Sequence, residues 1–252
     1  MLQDSLPAAR GAVNEAGTLV GAVRIRRSPE DVFEERLLGL VKPADWVLDV
    51  GCGTGRYFRA DFAKERACRW IGIDIHPEIS CNERLYLRAR GDAMLMPFGD
   101  DSFDVVVCRW MIEHVADAAA ALRQFARVLK PSGRVAIFTP NLLHYYGAAA
   151  KLTPHWFHLW FNRRIRGFDE SDIFPTLYRA NTCWRLGSLL AGAGFSQIDI
   201  TLVEGAPSAL EFNPLLYGAG RIYEALVTKF DCLSAFRMNL IAVASKARLN
   251  GL

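Results

Sequence analysis

Residues 47–56 constrain the fold of this chain more than any other stretch, and they read Val-Leu-Asp-Val-Gly-Cys-Gly-Thr-Gly-Arg. The apolar run before the glycines is typical of a buried strand. Gly51, Gly53 and Gly55 permit a positive φ and let a ligand lie against the main chain. Residues 56–66 are predicted to form the next helix. A strand, a glycine turn and a helix N-terminus in this order predict a nucleotide-type binding edge.

The residues around the glycines discriminate between nucleotide ligands. The NAD fingerprint needs a glycine where Arg56 stands, and no Gly-Lys-Ser/Thr of a P-loop follows. Asp49 would repel a pyrophosphate, but it suits a cationic amino-acid group. S-adenosylmethionine (SAM) joins such a group to an adenosine, so we expect the chain to bind SAM. An NAD-dependent oxidoreductase is disfavoured by Asp49 and Arg56.

Further motifs follow in a fixed order along the chain: Gly72-Ile-Asp-Ile, Gly91-Asp-Ala, Leu95-Met-Pro-Phe, Ser102-Phe-Asp and Glu113-His-Val. Together with the glycine turn, they make residues 44–141 resemble the class I SAM-dependent methyltransferases, in the type 11 branch of that family. The resemblance implies an α/β fold. Its Rossmann-like seven-stranded sheet would be mostly parallel, with the last strand antiparallel and helices on both faces.

The same resemblance implies where each part of SAM would be held. Asp49 would lie near the methionine ammonium, Asp74 would hold the ribose, and Asp92 would accept from the adenine amino group. The spacing of Asp74, about twenty residues after the glycines, is also that of an acid that reaches ribose hydroxyls. The implied cofactor-binding residues are Asp49, Gly51, Cys52, Gly53, Asp74, Ile75, Asp92, Ala93 and, through its backbone, Arg109.

Methyl transfer from SAM needs a base only if the acceptor must lose a proton. A histidine near the methyl group would serve a phenol or other hydroxyl acceptor. The candidate catalytic residues are His114 and His144, with Glu113, Tyr146 and Tyr178 behind them. The segment after the fourth predicted strand lacks the Asn/Asp-Pro-Pro-Tyr and Pro-Cys motifs of methyltransferases that act on nucleic-acid bases.

We predict a flexible arm at residues 1–27 and one methyltransferase domain at residues 28–252, with an acceptor-side insert at about 141–181. The insert is rich in aromatic and basic residues, and three interpretations stay open. It caps the acceptor pocket, it packs against the core, or residues 155–166 form an interfacial helix. His155 and His158 have helical spacing, but no third ligand is evident, so no metal site is predicted.

Composition excludes several other classes. The net charge of +3 is too small for the concentrated basic footprint of a nucleic-acid-binding protein. The sequence contains no run of about eighteen apolar residues, so no membrane-spanning helix is predicted. Its first residues do not show the pattern of a signal peptide. The 6 cysteines contain no Cys-x-x-Cys pair and indicate reduced thiols. We therefore expect a cytoplasmic protein, or one peripheral at a membrane; its oligomeric state stays open.

The predicted function is methyl transfer to a small-molecule acceptor. The aromatic insert and the apolar helix predicted late in the chain favour a lipid, an isoprenoid or an aromatic hydroxyl compound. Aromatic side chains also stack on sugar rings, so a sugar or polysaccharide intermediate is the alternative acceptor. A SAM-binding protein without turnover is the alternative from another class.

Overall fold

The computed structural model describes residues 27–55, 67–154, 164 and 175–247. The predicted arm, apart from Arg27, the predicted helix at 56–66 and most of residues 155–174 lie outside this part. The described α-helices are α1 Pro29–Leu40, α2 Ala118–Val128, α3 Tyr145–Leu152, α4 Cys183–Gly192 and α5 Pro214–Lys229. The strands are β1 Trp46–Val50, β2 Arg69–Asp74, β3 Leu87–Arg90, β4 Phe103–Arg109, β5 Leu129–Pro140, β6 Phe195–Val203 and β7 Asn239–Lys246.

The strands form one seven-stranded sheet in the order β3-β2-β1-β4-β5-β7-β6. The neighbouring strands from β3 to β5 are parallel, whereas β7 is antiparallel to both β5 and β6. This architecture confirms the predicted fold class, including the reversed last strand. Because the chain order reverses between β1 and β4, the carboxyl ends of these strands border a crevice suited to a ligand.

Both faces of the sheet are covered by apolar side chains. On one face, Leu122 and Phe125 of α2 and Leu186 and Leu190 of α4 are fully buried. On the other face, α1 covers β1, β4 and β5. Burial on both faces explains why the central strands are continuous apolar runs rather than alternating ones.

Helix α1 begins where the sequence predicts it. Ser28 and Asp31 form a reciprocal capping box, and Pro29 occupies the first turn. Phe33 is fully buried and stacks on Phe138 of β5, with 5.2 Å between the ring centroids. This contact fixes α1 against the sheet beside the carboxyl ends of β1 and β4.

Two connections are shorter than in a regular alternation of strands and helices. A 3-10 helix, Pro77–Cys81, takes the place of a full helix between β2 and β3. No helix occurs at 91–102, between β3 and β4. Helix α2 runs directly into β5 at Leu129, and residues 131–133 form part of an irregular pairing with β4.

No helix among the described residues combines the length and the apolar character needed to cross a bilayer. The same part of the chain contains no group of three metal-ligating side chains. Asp104, at the start of β4, accepts a hydrogen bond from the Trp46 amide and pairs with Lys130 at 2.8 Å. Its role is therefore to join β1 to β5, as expected for a structural position.

Candidate active site

The glycine turn after β1 has the left-handed backbone that the sequence predicts. Gly51, Gly53 and Gly55 have φ of 75°, 48° and 78°. A Cβ atom on Gly51 would collide with the side chain of Met111, and one on Gly55 would lie 2.6 Å from Asn82 Oδ1. A Cβ atom on Gly53 would meet nothing within 4 Å. The outer glycines are therefore needed for packing, while the middle one faces open space in which a ligand can lie.

Two side chains, one at the end of β2 and one in the β2–β3 connection, hold this turn in place. Asp74 accepts a hydrogen bond from the Gly53 amide at 2.8 Å through Oδ2, and another from the His76 amide at 2.8 Å through Oδ1. Asn82 donates to the Gly53 carbonyl at 3.1 Å. Each carboxylate oxygen of Asp74 still has a lone pair for a ribose hydroxyl. Sequence reasoning missed Asn82, because nothing in its local pattern marks it as a partner of a turn 29 residues away.

Asp49 is buried at the carboxyl end of β1, with 3% of its surface exposed. The indole Nε1 of Trp70 donates a hydrogen bond to its Oδ2 at 3.2 Å. Burial raises the pKa of Asp49 to about 6, while the guanidinium of Arg109 and the bond from Trp70 act in the opposite direction. A buried carboxylate that resists ionisation gains from a cationic ligand.

Arg109 ends β4 and differs from its prediction in one respect. The resemblance assigned only its backbone to the cofactor, but its side chain is itself buried in the site. Its Nη1 atom lies 4.0 Å from Glu34 Oε1 on α1, and its charge lowers the pKa of Asp49. Glu34 thus joins α1 to the cofactor edge, which the local sequence of α1 does not indicate.

The predicted adenine position has an apolar wall and an acidic edge. Ile75 follows β2 and is 62% exposed, so its apolar side chain is accessible to a ligand. Asp92 accepts a hydrogen bond from the Met94 amide at 2.8 Å through Oδ1. Cys52 has a thiol whose pKa is raised by burial, so it stays protonated and lines the turn as a neutral group.

These residues fit SAM by the chemistry of their groups. In the predicted arrangement, Asp49 would offer a carboxylate to the ammonium, Asp74 one to the ribose and Asp92 one to the adenine amino group. Gly53 leaves room at the main chain, and Ile75 offers an apolar surface for the adenine ring. The predicted cofactor residues therefore occur together at the carboxyl edge of β1, β2, β3 and β4.

His114 lies beyond the end of β4, in the short 3-10 helix Ile112–His114. Its Nδ1 atom is 2.9 Å from the Pro175 carbonyl oxygen. A carbonyl only accepts, so Nδ1 carries the proton and Nε2 bears the lone pair in the neutral ring. Nε2 lies 3.9 Å from Glu113 Oε1, and the ring is partly exposed. The histidine is thus oriented with a basic nitrogen beside a carboxyl group.

Glu113 belongs to a buried polar network. Its Oε2 atom accepts from the Thr139 hydroxyl at 3.0 Å, and that hydroxyl accepts from Asn181 Nδ2 at 2.7 Å. The Glu113 carbonyl accepts from the Leu177 and Tyr178 amides at 2.7 and 3.1 Å. Burial raises the pKa of Glu113, and neighbouring His114 counters that effect. The network therefore joins the end of β4 to the segment that precedes α4.

His144 has a different environment. It is almost fully buried, and its Nδ1 atom accepts from the Tyr146 amide at 3.2 Å as the N-cap of α3. Its Nε2 atom lies 3.5 Å from Glu204 Oε1. The ring also packs against Tyr145 and Tyr223. These contacts favour a structural role for His144, whereas the ring of His114 is partly exposed.

Comparison with known proteins agrees with this arrangement. A family model described as a methyltransferase domain matches residues 48–137. A demethylmenaquinone methyltransferase of Lactobacillus johnsonii is 34% identical over 195 residues, which are 69% of this chain and 77% of that protein. The enzyme of the same name from Mycobacterium marinum is 36% identical over 98 residues, which are 38% of this chain and only 42% of that protein.

The fold is also similar to that of a methyltransferase of known structure. Phosphoethanolamine N-methyltransferase 2 of Haemonchus contortus, in complex with SAM, superposes with a TM-score of 0.57 at 18% identity. The match covers 87% of this chain and 52% of that one. At this identity the likeness shows the fold alone.

Proposed function

Because the chain belongs to the class I SAM-dependent methyltransferases, in their type 11 branch, we propose that its acceptor is a lipid-soluble aromatic compound with a hydroxyl group, such as an isoprenoid quinol. Two relatives named demethylmenaquinone methyltransferase support this class of acceptor. The observation that supports the proposal is the contact of His114 Nδ1 with the Pro175 carbonyl at 2.9 Å, which orients the ring beyond the end of β4.

SAM supplies, when bound, a methyl group on a sulfonium that is already a good leaving group. The protein therefore needs no nucleophile of its own. Its task is to hold the acceptor in line with the methyl group and to exclude water, effects worth about 7–11 kcal/mol in favourable cases. Asp49, Asp74 and the glycine turn would hold the cofactor for this purpose.

A quinol or phenol becomes a strong nucleophile when its hydroxyl loses a proton. In our proposal, His114 accepts that proton at Nε2, while the Pro175 carbonyl keeps the ring oriented through Nδ1. An ionised Glu113 would stabilise the imidazolium that results, since its Oε1 atom lies 3.9 Å from Nε2. This arrangement serves acceptors with an acidic hydroxyl better than acceptors that can attack the methyl group without losing a proton.

We also propose that the insert at 141–181 borders the acceptor. The described part of it reaches the network of Glu113, since the Leu177 and Tyr178 amides donate to the Glu113 carbonyl. Asn181, which ends the insert, donates to Thr139 and to the Pro140 carbonyl. A cap joined to the same residues that orient His114 would close the site on the acceptor side.

A defined acceptor tests this function. The protein would be incubated with SAM and a detergent-solubilised demethylmenaquinol, and methylated product would be measured by mass spectrometry. We expect turnover with the wild type. His114→Gln should lower kcat by about 10²–10⁴-fold, the usual contribution of a general base. The matched variant His144→Gln should retain most of its kcat and lose stability instead, because His144 caps α3.

Other outcomes would favour the rival functions. Product from a sugar or polysaccharide intermediate, with none from the quinol, would replace the proposed acceptor. SAM binding without product from any acceptor would support a regulator or scaffold. Equal kcat for the wild type and His114→Gln would refute the proposed base while leaving methyl transfer intact.

A further inference from the structure

Arg109 carries a buried positive charge at the edge of the sheet that the cofactor residues border. It is the last residue of β4, directly after Cys108, which pairs with Val50 of β1. Asp49 pairs with Val107 in the same two strands. Because side chains alternate along a strand, Arg109 and Asp49 lie on the same face of the sheet, which is the face covered by α1. The side chain of Arg109 is only 6% exposed.

This burial makes the guanidinium of Arg109 depend on nearby carboxylates. Removal of a charge from water is costly unless opposite charges compensate for it. Glu34 of α1 has its Oε1 atom 4.0 Å from Nη1, and the charge of Arg109 opposes the rise in the pKa of Asp49. The contact with Glu34 is an ion pair longer than a hydrogen bond. A guanidinium has five donors in a planar fork, so Arg109 can bind a further carboxylate while it stays beside Glu34.

The charges of these three side chains match those at the methionine end of SAM. The protein offers two negative groups, on Glu34 and Asp49, and one positive group, on Arg109. The methionine end of SAM has two positive groups, the ammonium and the sulfonium, and one negative group, the carboxylate. The two sets are therefore complementary in number and in sign. A ligand without a carboxylate would bring positive charge alone to a site that already holds Arg109.

From this arrangement, we propose that the side chain of Arg109 binds the carboxylate of SAM while Asp49 binds the ammonium. The two residues together recognise the whole amino-acid end of the cofactor, and Glu34 attracts the guanidinium from α1. The side chain thus adds a preference for ligands that carry a carboxylate, beyond the backbone contact that the sequence predicts for Arg109. The inference rests on the placement of SAM in the proposed function and is independent of the acceptor.

A purely structural role is the alternative for Arg109, since its ion pair with Glu34 also joins α1 to the sheet. Another arginine of α1 makes such a contact away from the cofactor edge. Arg36 donates to Asp199 at 2.8 Å and to Thr201 at 2.6 Å, both on β6. Loss of a structural ion pair should affect all ligands alike. Loss of a contact with the carboxylate should affect only the ligands that carry one.

Titration calorimetry with SAM and decarboxylated SAM, which lacks only the carboxylate, distinguishes these roles. We expect the wild type to bind decarboxylated SAM about 10–100-fold more weakly than SAM, the usual effect of losing a hydrogen bond between charged groups. Arg109→Gln should bind SAM more weakly by a similar factor and should bind the two ligands almost equally. Arg109→Lys keeps the charge but not the planar fork, so its preference for SAM should be intermediate.

The matched control is Arg36→Gln, which removes the other arginine contact between α1 and the sheet. This variant should keep the wild-type preference for SAM over decarboxylated SAM, even if its stability decreases. Circular dichroism and thermal unfolding would check the fold of every variant. If Arg109→Gln does not fold, the comparison of the wild type with Arg109→Lys decides, because that variant keeps a cation beside Glu34.

Two kinds of result would overturn the inference. The wild type could bind SAM and decarboxylated SAM equally well. Alternatively, a folded Arg109→Gln protein could keep the wild-type preference, or lose affinity for both ligands by the same factor, as a structural ion pair would. These measurements use no acceptor. Failure to methylate detergent-solubilised quinol would therefore refute the proposed acceptor and leave the role of Arg109 intact.

Discussion

At the scale of single residues, the cofactor edge depends on carboxylates whose surroundings differ. Asp49 is buried beside Trp70 and Arg109, whereas Asp74 accepts bonds from two backbone amides. The carboxyl group of Asp49 is therefore costly to ionise, whereas that of Asp74 is already oriented by the turn that it supports. These differences lead to separate predictions for the two residues.

The affinity for SAM should depend on pH through Asp49. Its pKa is raised to about 6 in the ligand-free protein, and a cationic ammonium favours its ionised form. Binding must then be accompanied by loss of a proton below pH 6, so affinity should fall as pH falls. We expect binding about tenfold weaker at pH 5 than at pH 7.5, measured by titration calorimetry.

The matched variant for this prediction is Asp49→Asn, which is nearly isosteric and does not titrate. Its affinity should be lower at pH 7.5 and nearly the same at the two pH values. Equal affinity of the wild type at pH 5 and pH 7.5 would mean that Asp49 does not ionise when SAM binds.

Replacement of Asp74 should weaken SAM binding for two reasons. Asp74→Ala removes the predicted ribose contact and also releases the Gly53 and His76 amides. We expect more than a tenfold loss of affinity. Asp74→Asn keeps one oxygen for the turn and should lose less. Unchanged affinity of Asp74→Ala in calorimetry would refute the assignment of the ribose to this residue.

At the scale of elements, some glycines of the turn are needed for packing and another leaves room for a ligand. The sequence predicts the turn and its positive φ values, but not which glycine faces the ligand. That information comes from Met111 and Asn82, which approach the turn from other parts of the chain. Local patterns reveal how a segment is built, whereas contacts between distant segments depend on the fold.

Two alanine substitutions distinguish the roles of these glycines. Gly51→Ala should lower stability by about 2–4 kcal/mol, because the left-handed backbone costs about 1–2 kcal/mol and a collision with Met111 adds to it. Gly53→Ala faces open space, so only the backbone cost of about 1–2 kcal/mol remains. Chemical denaturation measures both values.

For SAM affinity, we expect Gly53→Ala to be the more damaging of these two variants. The new methyl group at residue 53 points into the space where SAM would lie, so Gly53→Ala should bind SAM poorly although it folds. A Gly53→Ala protein with wild-type affinity would place the ligand elsewhere.

At the scale of the whole molecule, apolar runs in the sequence predict individual buried strands, such as β1 and β4, but not how the strands join in one sheet. The motif order between Val47 and Asn141 supplies the rest through resemblance. The sequence does not reveal the ion pair between Glu34 and Arg109, or the inward position of Glu224. These features depend on how α1 and α5 approach the rest of the fold, which helical periodicity alone does not reveal.

The packing of α1 should contribute strongly to global stability. Phe33 is fully buried and stacks on Phe138, so Phe33→Ala should destabilise the domain by about 3–5 kcal/mol. Ile222→Ala, on the exposed face of α5, should change stability by less than about 0.5 kcal/mol. Urea denaturation of both variants measures the difference. Similar losses for both would contradict the exposed position of Ile222.

The central claim, methyl transfer from SAM to a lipid-soluble acceptor, is tested most directly with methyl-labelled SAM and a boiled extract of the host cells. After incubation, the products would be partitioned between butanol and water. We predict label in butanol that depends on active protein and decreases with His114→Gln. Label confined to water, or no label although SAM binds, would contradict it.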